Sequence, residues 1–256
     1  MLELVLVSVL AAALVGLSTL AGRRWGHEVA GLVGAFPLIV GPVLLLTAER
    51  QDAAAAARTA VGTLLGLVTL SGFALVYARS AGRSQWPVSV ALGWTAAAAL
   101  GLLAGRIEAG LLGALAAAAL SIALARAGLP RWQGAEIAPV LPRWELPVRM
   151  ALTAALIVGL TAAGERFGPA AAGILAALPT LASVLAVFTH ARFGQEALVS
   201  MLRGMLGGLA GFVVFCALIA LLVEPAGVPL AFALATVAAA LTQLGVAAQG
   251  SDRGPQ

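Results

Sequence analysis

Apolar runs of about the length that crosses a bilayer follow one another along almost the whole chain. They lie near 2–22, 28–48, 55–78, 87–104, 109–126, 147–163, 169–189, 198–222 and 229–248, separated by charge or Pro/Gly punctuation. A spanning helix needs about 20 mostly apolar residues, so each run reads as one crossing. Only 10% of the 256 residues are charged and 61% are hydrophobic. A soluble domain carries roughly 25% charged residues, so a single water-facing fold is excluded. The expected fold class is an all-α integral membrane protein with about nine transmembrane helices.

Orientation follows from counting basic residues, because cytoplasmic loops are enriched in them. All 15 are Arg. With the N-terminus outside and the C-terminus inside, the inner side holds Arg23, Arg24, Arg79, Arg83, Arg126, Arg131, Arg143, Arg149, Arg192, Arg203 and Arg253. The outer side then holds only Arg50, Arg58, Arg106 and Arg166, and the reverse orientation inverts the ratio. The first apolar run has no basic residue ahead of it. A cleaved signal peptide normally begins with one, so the run is expected to stay as a first span. The Arg residues are scattered singly, which argues against a nucleic-acid partner. Cys216 is the single cysteine, which excludes a disulfide or a Cys-based metal site within one chain. The longest polar stretch, Leu129–Glu145, contains Leu-Pro-Arg-Trp twice. Trp and Arg beside Pro at a span end suit the headgroup layer; a docking surface for a cytoplasmic partner is the alternative.

An internal repeat is the most specific signal. Sliding the chain along itself until Pro37 falls on Pro179 lays Glu3-Leu4 on Glu145-Leu146 and Gly22-x-Arg24-x-Gly26 on Gly164-x-Arg166-x-Gly168. In the same register Ala35 falls on Ala177, Gly62 and Gly66 on Gly204 and Gly208, and Pro87 on Pro229. Alanine matches are cheap in such a composition, but Gly, Pro, Arg and Glu matches in one register are not. The halves are spans 1–4 and 6–9, so five crossings separate equivalent helices, and an odd number reverses orientation. The expected architecture is a 4+1+4 inverted-topology repeat. Residues 1–104 form the first repeat, 105–127 a connecting helix, 128–144 a cytoplasmic loop, 145–249 the second repeat and 250–256 a polar tail.

Inverted repeats in membranes often place a binding site near the midplane, where helices are interrupted. The matching interruptions are Gly31–Pro37 in span 2 and Gly173–Pro179 in span 7. Pro removes a backbone donor and clashes with the carbonyl four residues back, freeing polar backbone that lipid cannot satisfy. Gly41-Pro42 adds a second break, and Thr180 and Ser183 place hydroxyls just after Pro179. The candidate binding residues are therefore Gly34, Pro37, Gly41, Pro42, Pro179, Thr180 and Ser183, around a polar cavity. Arg58 and Arg203 lie inside apolar runs near the starts of spans 3 and 8. They read either as snorkelling or acid-paired residues, or as entrance residues, one per face, that attract an anion. Gly62-x-x-x-Gly66 and Gly204-x-x-x-Gly208 permit close helix approach, so spans 3 and 8 are expected to pack tightly. Gln243 is costly in lipid and is expected to face protein. His27 and His190 stand alone, without ligand-spaced partners, and no span centre carries a carboxylate. No phosphate loop or Gly-x-Ser-x-Gly elbow is present. Neither an enzyme, a metal nor a cofactor is expected.

The segment Val29-Ala30-Gly31-Leu32-Val33-Gly34-Ala35-Phe36-Pro37, followed by Glu49-Arg50, resembles the signature of the GlpM-like family of small four-span bacterial inner-membrane proteins. In the second half Ala172-Gly173-Ile174 and Leu178-Pro179 fit, while Ala191-Arg192 lacks the acid. The resemblance implies a fused, inverted pair of units that elsewhere occur singly, in the bacterial inner membrane. Family members are associated with efficient alginate production. The function expected is a small-solute transporter or channel, with an anion favoured by the two Arg. The rival is a non-transporting subunit for envelope or exopolysaccharide assembly. Beyond the bilayer and the solute, a homo-oligomer is left open as a partner.

Overall fold

The computed structural model of the protein describes residues 2–107, 109–130, 144–167 and 179–251. The helices are α1 (Leu2–Trp25), α2 (His27–Gly34), α3 (Val40–Arg50), α4 (Ala53–Ser80), α5 (Trp86–Ala104), α6 (Leu111–Gly128), α7 (Glu145–Phe167), α8 (Thr180–Leu222) and α9 (Val228–Ser251). No strand occurs among the described residues. Seven of the helices (α1 and α4 to α9) are long and apolar enough to cross a membrane, which makes this a multi-pass helical membrane protein. The apolar runs 87–104 and 109–126 form separate helices: α5 stops at Ala104 and α6 starts at Leu111. The Leu-Pro-Arg-Trp loop from 131 to 143 and the break at 173–178 lie outside the described residues.

Local chemistry sets the helix bounds. Asp52 is the N-cap of α4, and its carboxylate accepts from the Ala55 N–H at 2.5 Å, pairing a donor that the first turn leaves orphaned. Pro87, in the first turn of α5, fits where no intrahelical N–H is needed. Gly26 (φ 93°) turns the chain between α1 and α2, and Gly227 (φ 80°) precedes α9. Gly194 (φ 79°, ψ −169°) interrupts α8 and divides it into arms 180–193 and 195–222. Left-handed backbone of this kind is open to glycine at little cost. In the register that lays Pro37 on Pro179, the end of α1 at Trp25 meets the end of α7 at Phe167, and the start of α5 at Trp86 meets that of α9 at Val228. The same register takes Ala53–Ser80 onto the second arm of α8.

Packing centres on the second arm of α8, whose Leu198, Met201, Leu202, Met205, Leu206 and Leu209 are buried. Helix α2 lies on it backbone to backbone. A Cβ on Gly31 would sit 1.8 Å from the Met201 carbonyl oxygen, and one on Gly204 would sit 1.9 Å from that of Glu28. Gly208 meets Leu32 and Ala35 in the same way. Spans 3 and 8 do pack on each other, as α4 on α8, but the close approach expected at both Gly-x-x-x-Gly motifs is found at only one. Gly204 and Gly208 receive α2, whereas Gly62 and Gly66 have nothing within 4 Å of an added Cβ. Apolar side chains such as Leu112, Leu120, Leu124, Leu241 and Leu244 remain exposed on the periphery, as lipid-facing positions should. Thr19, Thr47, Thr59, Thr95 and Thr242 each donate to the carbonyl four residues back, so their hydroxyls cost little within hydrocarbon.

The bundle has two distinguishable ends. At one, the His27 ring packs on Phe193 (centroids 4.9 Å apart), Arg79 Nε donates to the Gly128 carbonyl (2.9 Å), and Arg192 meets Glu145. This Arg-rich end gathers the α1–α2 turn, the ends of α4 and α6, the start of α7 and the Gly194 kink. At the opposite end Arg58, Gly110, Leu111, Ala220 and Glu224 border one small cavity.

Candidate functional site

The break between α2 and α3 begins as a backbone accounting problem. Pro37 offers no N–H and its ring crowds the carbonyl of Val33. The chain answers with a tight turn in which Ala35 N–H donates to Gly31 O (3.1 Å), Phe36 N–H to Val33 O (3.1 Å) and Leu38 N–H to Phe36 O (2.7 Å). Gly41 N–H then donates to Pro37 O (3.0 Å) as α3 resumes. The Val33 carbonyl, expected to be left free, is thus taken by Phe36. Gln243 Nε2, from α9, adds donors to Leu32 O (3.3 Å) and Gly208 O (3.2 Å) and is 9% exposed, matching its expected protein-facing role. On the other side Pro179 precedes α8, and Ser183 N–H donates to its carbonyl at 2.8 Å.

Between the break at Pro37 and the start of α8 at Pro179 lies a cavity of about 640 Å³. Its walls are Gly34 to Phe36, Ile39 and Val40 at the first break, Pro179 to Ala182 at the start of α8, and Gly101, Ala104, Gly105 and Ile107 at the end of α5. Helix α4 contributes Thr63, Leu67 and Leu70, and α8 contributes Met205, Leu209 and Phe212, their mates in the register that lays Pro37 on Pro179. The cavity is therefore lined by the same three positions from both segments. Gly66 lies thirteen residues into α4, about 20 Å along the axis at 1.5 Å per residue, which is mid-depth in this helix. Polar side chains are few: Thr63, Thr69 and Thr180. Thr63 donates to Thr59 O and Thr69 to Gly66 O. The expected polar cavity is in fact largely apolar, because the backbone bonds at the break are closed within the protein.

On the Arg-rich side of the cavity, side-chain contacts join α4, α5 and α8. Trp94 Nε1 donates to Ser183 Oγ at 2.7 Å, and Ser183 Oγ donates to Pro179 O at 2.8 Å. Phe73 and Tyr77 stack, and the His190 ring stands edge-on to Tyr77 at 5.8 Å. Beyond them Glu145, fully buried, joins Arg149 (2.5 Å) to Arg192 (3.2 Å), and Arg149 also lies over the Phe188 ring. At the other end the cavity shares Gly62, Leu65 and Ile107 with a second one of about 440 Å³, bordered by Arg58 and Glu224.

Of the expected binding residues, Gly34, Pro179 and Thr180 line the main cavity. Pro37 is buried at the turn but is not part of the lining, and the partly buried Gly41 and Pro42 are outside it too. Ser183 is committed to Trp94 and Pro179 rather than to the cavity. Arg58 is exposed at the rim of the second cavity. Arg203 borders neither cavity: its Nη2 donates to Pro130 O at 3.2 Å, just past the end of α6, where a helix C-terminus favours a cation. The sequence reading missed the α4 and α8 walls, although 63, 67 and 70 recur at one-face helical spacing and again at the repeat offset. No group of three or more potential metal ligands occurs among the described residues.

The fold and the cavity define a class, a multi-pass helical membrane protein with a largely apolar cavity beside the break at Pro37 and the start of α8. Comparison with family models, curated proteins and solved structures finds no match for this chain.

Proposed function

We propose that this chain is a small-solute transporter of the bacterial inner membrane, with its site in the cavity between the breaks. The observation that carries this reading is a cavity lined by α4 and α8 at positions that share one repeat register. Thr63, Leu67 and Leu70 of α4 and their register mates Met205, Leu209 and Phe212 of α8 line it, it shares Gly62, Leu65 and Ile107 with the cavity at the Arg58 rim, and we read the Trp94–Ser183, Tyr77–His190 and Glu145 contacts toward the other end as a closed gate. On this reading the protein is a carrier in one access state, since an open channel would have a path to both ends.

The transport reading goes with nine crossings, the N-terminus outside and the C-terminus inside. Helix α8 has 43 residues, about 65 Å at 1.5 Å per residue, roughly twice the ~30 Å hydrocarbon core. Its kink at Gly194 is the natural place for a reversal into two crossings. Helices α2 and α3 together supply the remaining crossing as a broken pair. The helix bounds that recur at the repeat offset support two related halves of opposite orientation, each comparable to one unit of the GlpM-like type. Arg149 and Arg192 at the gated end support placing that end in the cytoplasm.

A density map of the protein purified in native-lipid nanodiscs tests the reading. We expect solute density against residues 179–182 and between Thr63 and Met205. A closed cavity, with a co-purified protein seated on the 128–144 loop, would instead establish the rival role as an assembly subunit.

A further inference from the structure

The chemistry of the walls narrows the substrate class, on the premise that the cavity is the transport site. An ion stripped of water needs compensating charges or donors, and the main cavity has no charged residue in its lining among the described residues. The hydroxyls of Thr63 and Thr69 already donate within α4. A compact inorganic ion would therefore be strongly disfavoured there, while an apolar body gains by leaving water. Among the described residues charge borders the adjoining cavity, which shares Gly62, Leu65 and Ile107 with the first. There Arg58 and Glu224 border one space of about 440 Å³, and neither lies within ion-pair distance of the other. An anion alone would meet Glu224 unfavourably, and a cation alone would meet Arg58. A molecule carrying both charges satisfies both.

We propose that the site takes a zwitterion with an apolar body: its anionic group at Arg58, its ammonium at Glu224, and its hydrocarbon part in the main cavity past Gly62 and Gly66. The open face of these two glycines is where that body enters, since nothing stands within 4 Å of a Cβ added to either. This replaces the simple anion suggested by the Arg pair, because Arg203 is tied to Pro130 and leaves Arg58 facing an acid. The same chemistry occurs in a free apolar amino acid and in an ethanolamine phospholipid headgroup.

Proteoliposomes distinguish these sources and test the class. The soluble probes are radiolabelled L-leucine, 4-methylpentanoate (the same body with the anion only), 3-methylbutylamine (the cation only) and chloride. The lipid probes are tail-labelled fluorescent phosphatidylethanolamine and phosphatidylglycerol, read by dithionite quenching. We expect leucine or the ethanolamine lipid to move at least tenfold faster than its single-charge counterpart. Arg58→Glu and Glu224→Arg should each reduce that rate about tenfold, and the double exchange should recover most of it. Equal rates for 4-methylpentanoate or chloride would overturn the zwitterion while leaving transport standing, as would single reversals without effect. If no probe moves, the transport reading falls, and thermal shift of the purified protein then decides the ligand class. Stabilisation by leucine or by short-chain phosphatidylethanolamine, without stabilisation by the single-charge analogues, would support the class. No selective stabilisation would overturn it.

Discussion

Ser183 shows how a residue can be found by its position and misread in its partner. A hydroxyl just after a proline break reads as a solute ligand, but Trp94, 89 positions away in sequence, donates to it at 2.7 Å. That contact depends on how α5 packs on α8, which no local pattern contains. Ser183→Ala should leave the indole N–H unpaired and cost about 1–3 kcal/mol, read as a lower thermal midpoint in detergent with the cavity still able to bind. The Glu145 cluster makes the matching point for charge. Glu145 is 0% exposed and Arg149 3%, so Glu145→Leu strands a buried guanidinium at a cost of about 3–5 kcal/mol. Arg192→Ala should cost under about 1 kcal/mol, because that side chain is 39% exposed. Thermal unfolding of the two variants side by side checks the difference; equal losses would mean that Arg192, not burial, holds the cluster.

At the level of elements, four glycines of identical motif have two opposite environments. On α8, Gly204 and Gly208 receive the backbone of α2; on α4, Gly62 and Gly66 face open space. Gly31→Ala should therefore push α2 off α8 and abolish recovery of folded protein, since its Cβ would fall 1.8 Å from a backbone oxygen. Gly66→Leu should express and unfold normally while blocking uptake, because the added side chain enters the cavity. Size-exclusion profiles and flux in proteoliposomes separate the two outcomes. The proline breaks behave as elements too. Pro37→Ala with Pro179→Ala restores two backbone donors, and we expect reduced flux with expression nearly unchanged. Normal flux in that variant would reduce both prolines to ordinary kinks.

For the whole molecule, the apolar runs announced the helices because each run must satisfy its own backbone in lipid. The repeat offset is legible in the residues themselves, from Pro37 and Pro179 to the glycine pairs. Helix α8 was less legible: runs 169–189 and 198–222 are separated by a short polar stretch, and Gly194 does not reveal its left-handed backbone by identity alone. The site was half legible. The break at Pro37 can be read from Pro and Gly, but not that Phe36 takes the Val33 carbonyl, that Gln243 bonds Leu32, or that mostly apolar side chains line the cavity. The proposed orientation rests on Arg placement, and on it a fluorescent reporter fused after Gln256 should be active in the cytoplasm while a phosphatase fused there stays silent. The reverse pattern would overturn the assigned sidedness.

Alternating access to the cavity is the central claim, and Thr63→Cys in a Cys216→Ala background measures it without knowledge of the substrate. Cys216 is the chain's one native thiol and is buried, so its replacement leaves a single reporter in the cavity wall. A membrane-impermeant thiol reagent applied to either face of oriented proteoliposomes should modify position 63 quickly from the face bearing Arg58. It should modify it more slowly, but completely, from the Arg-rich face as the two states exchange. Modification from the Arg58 face alone would contradict a transporter.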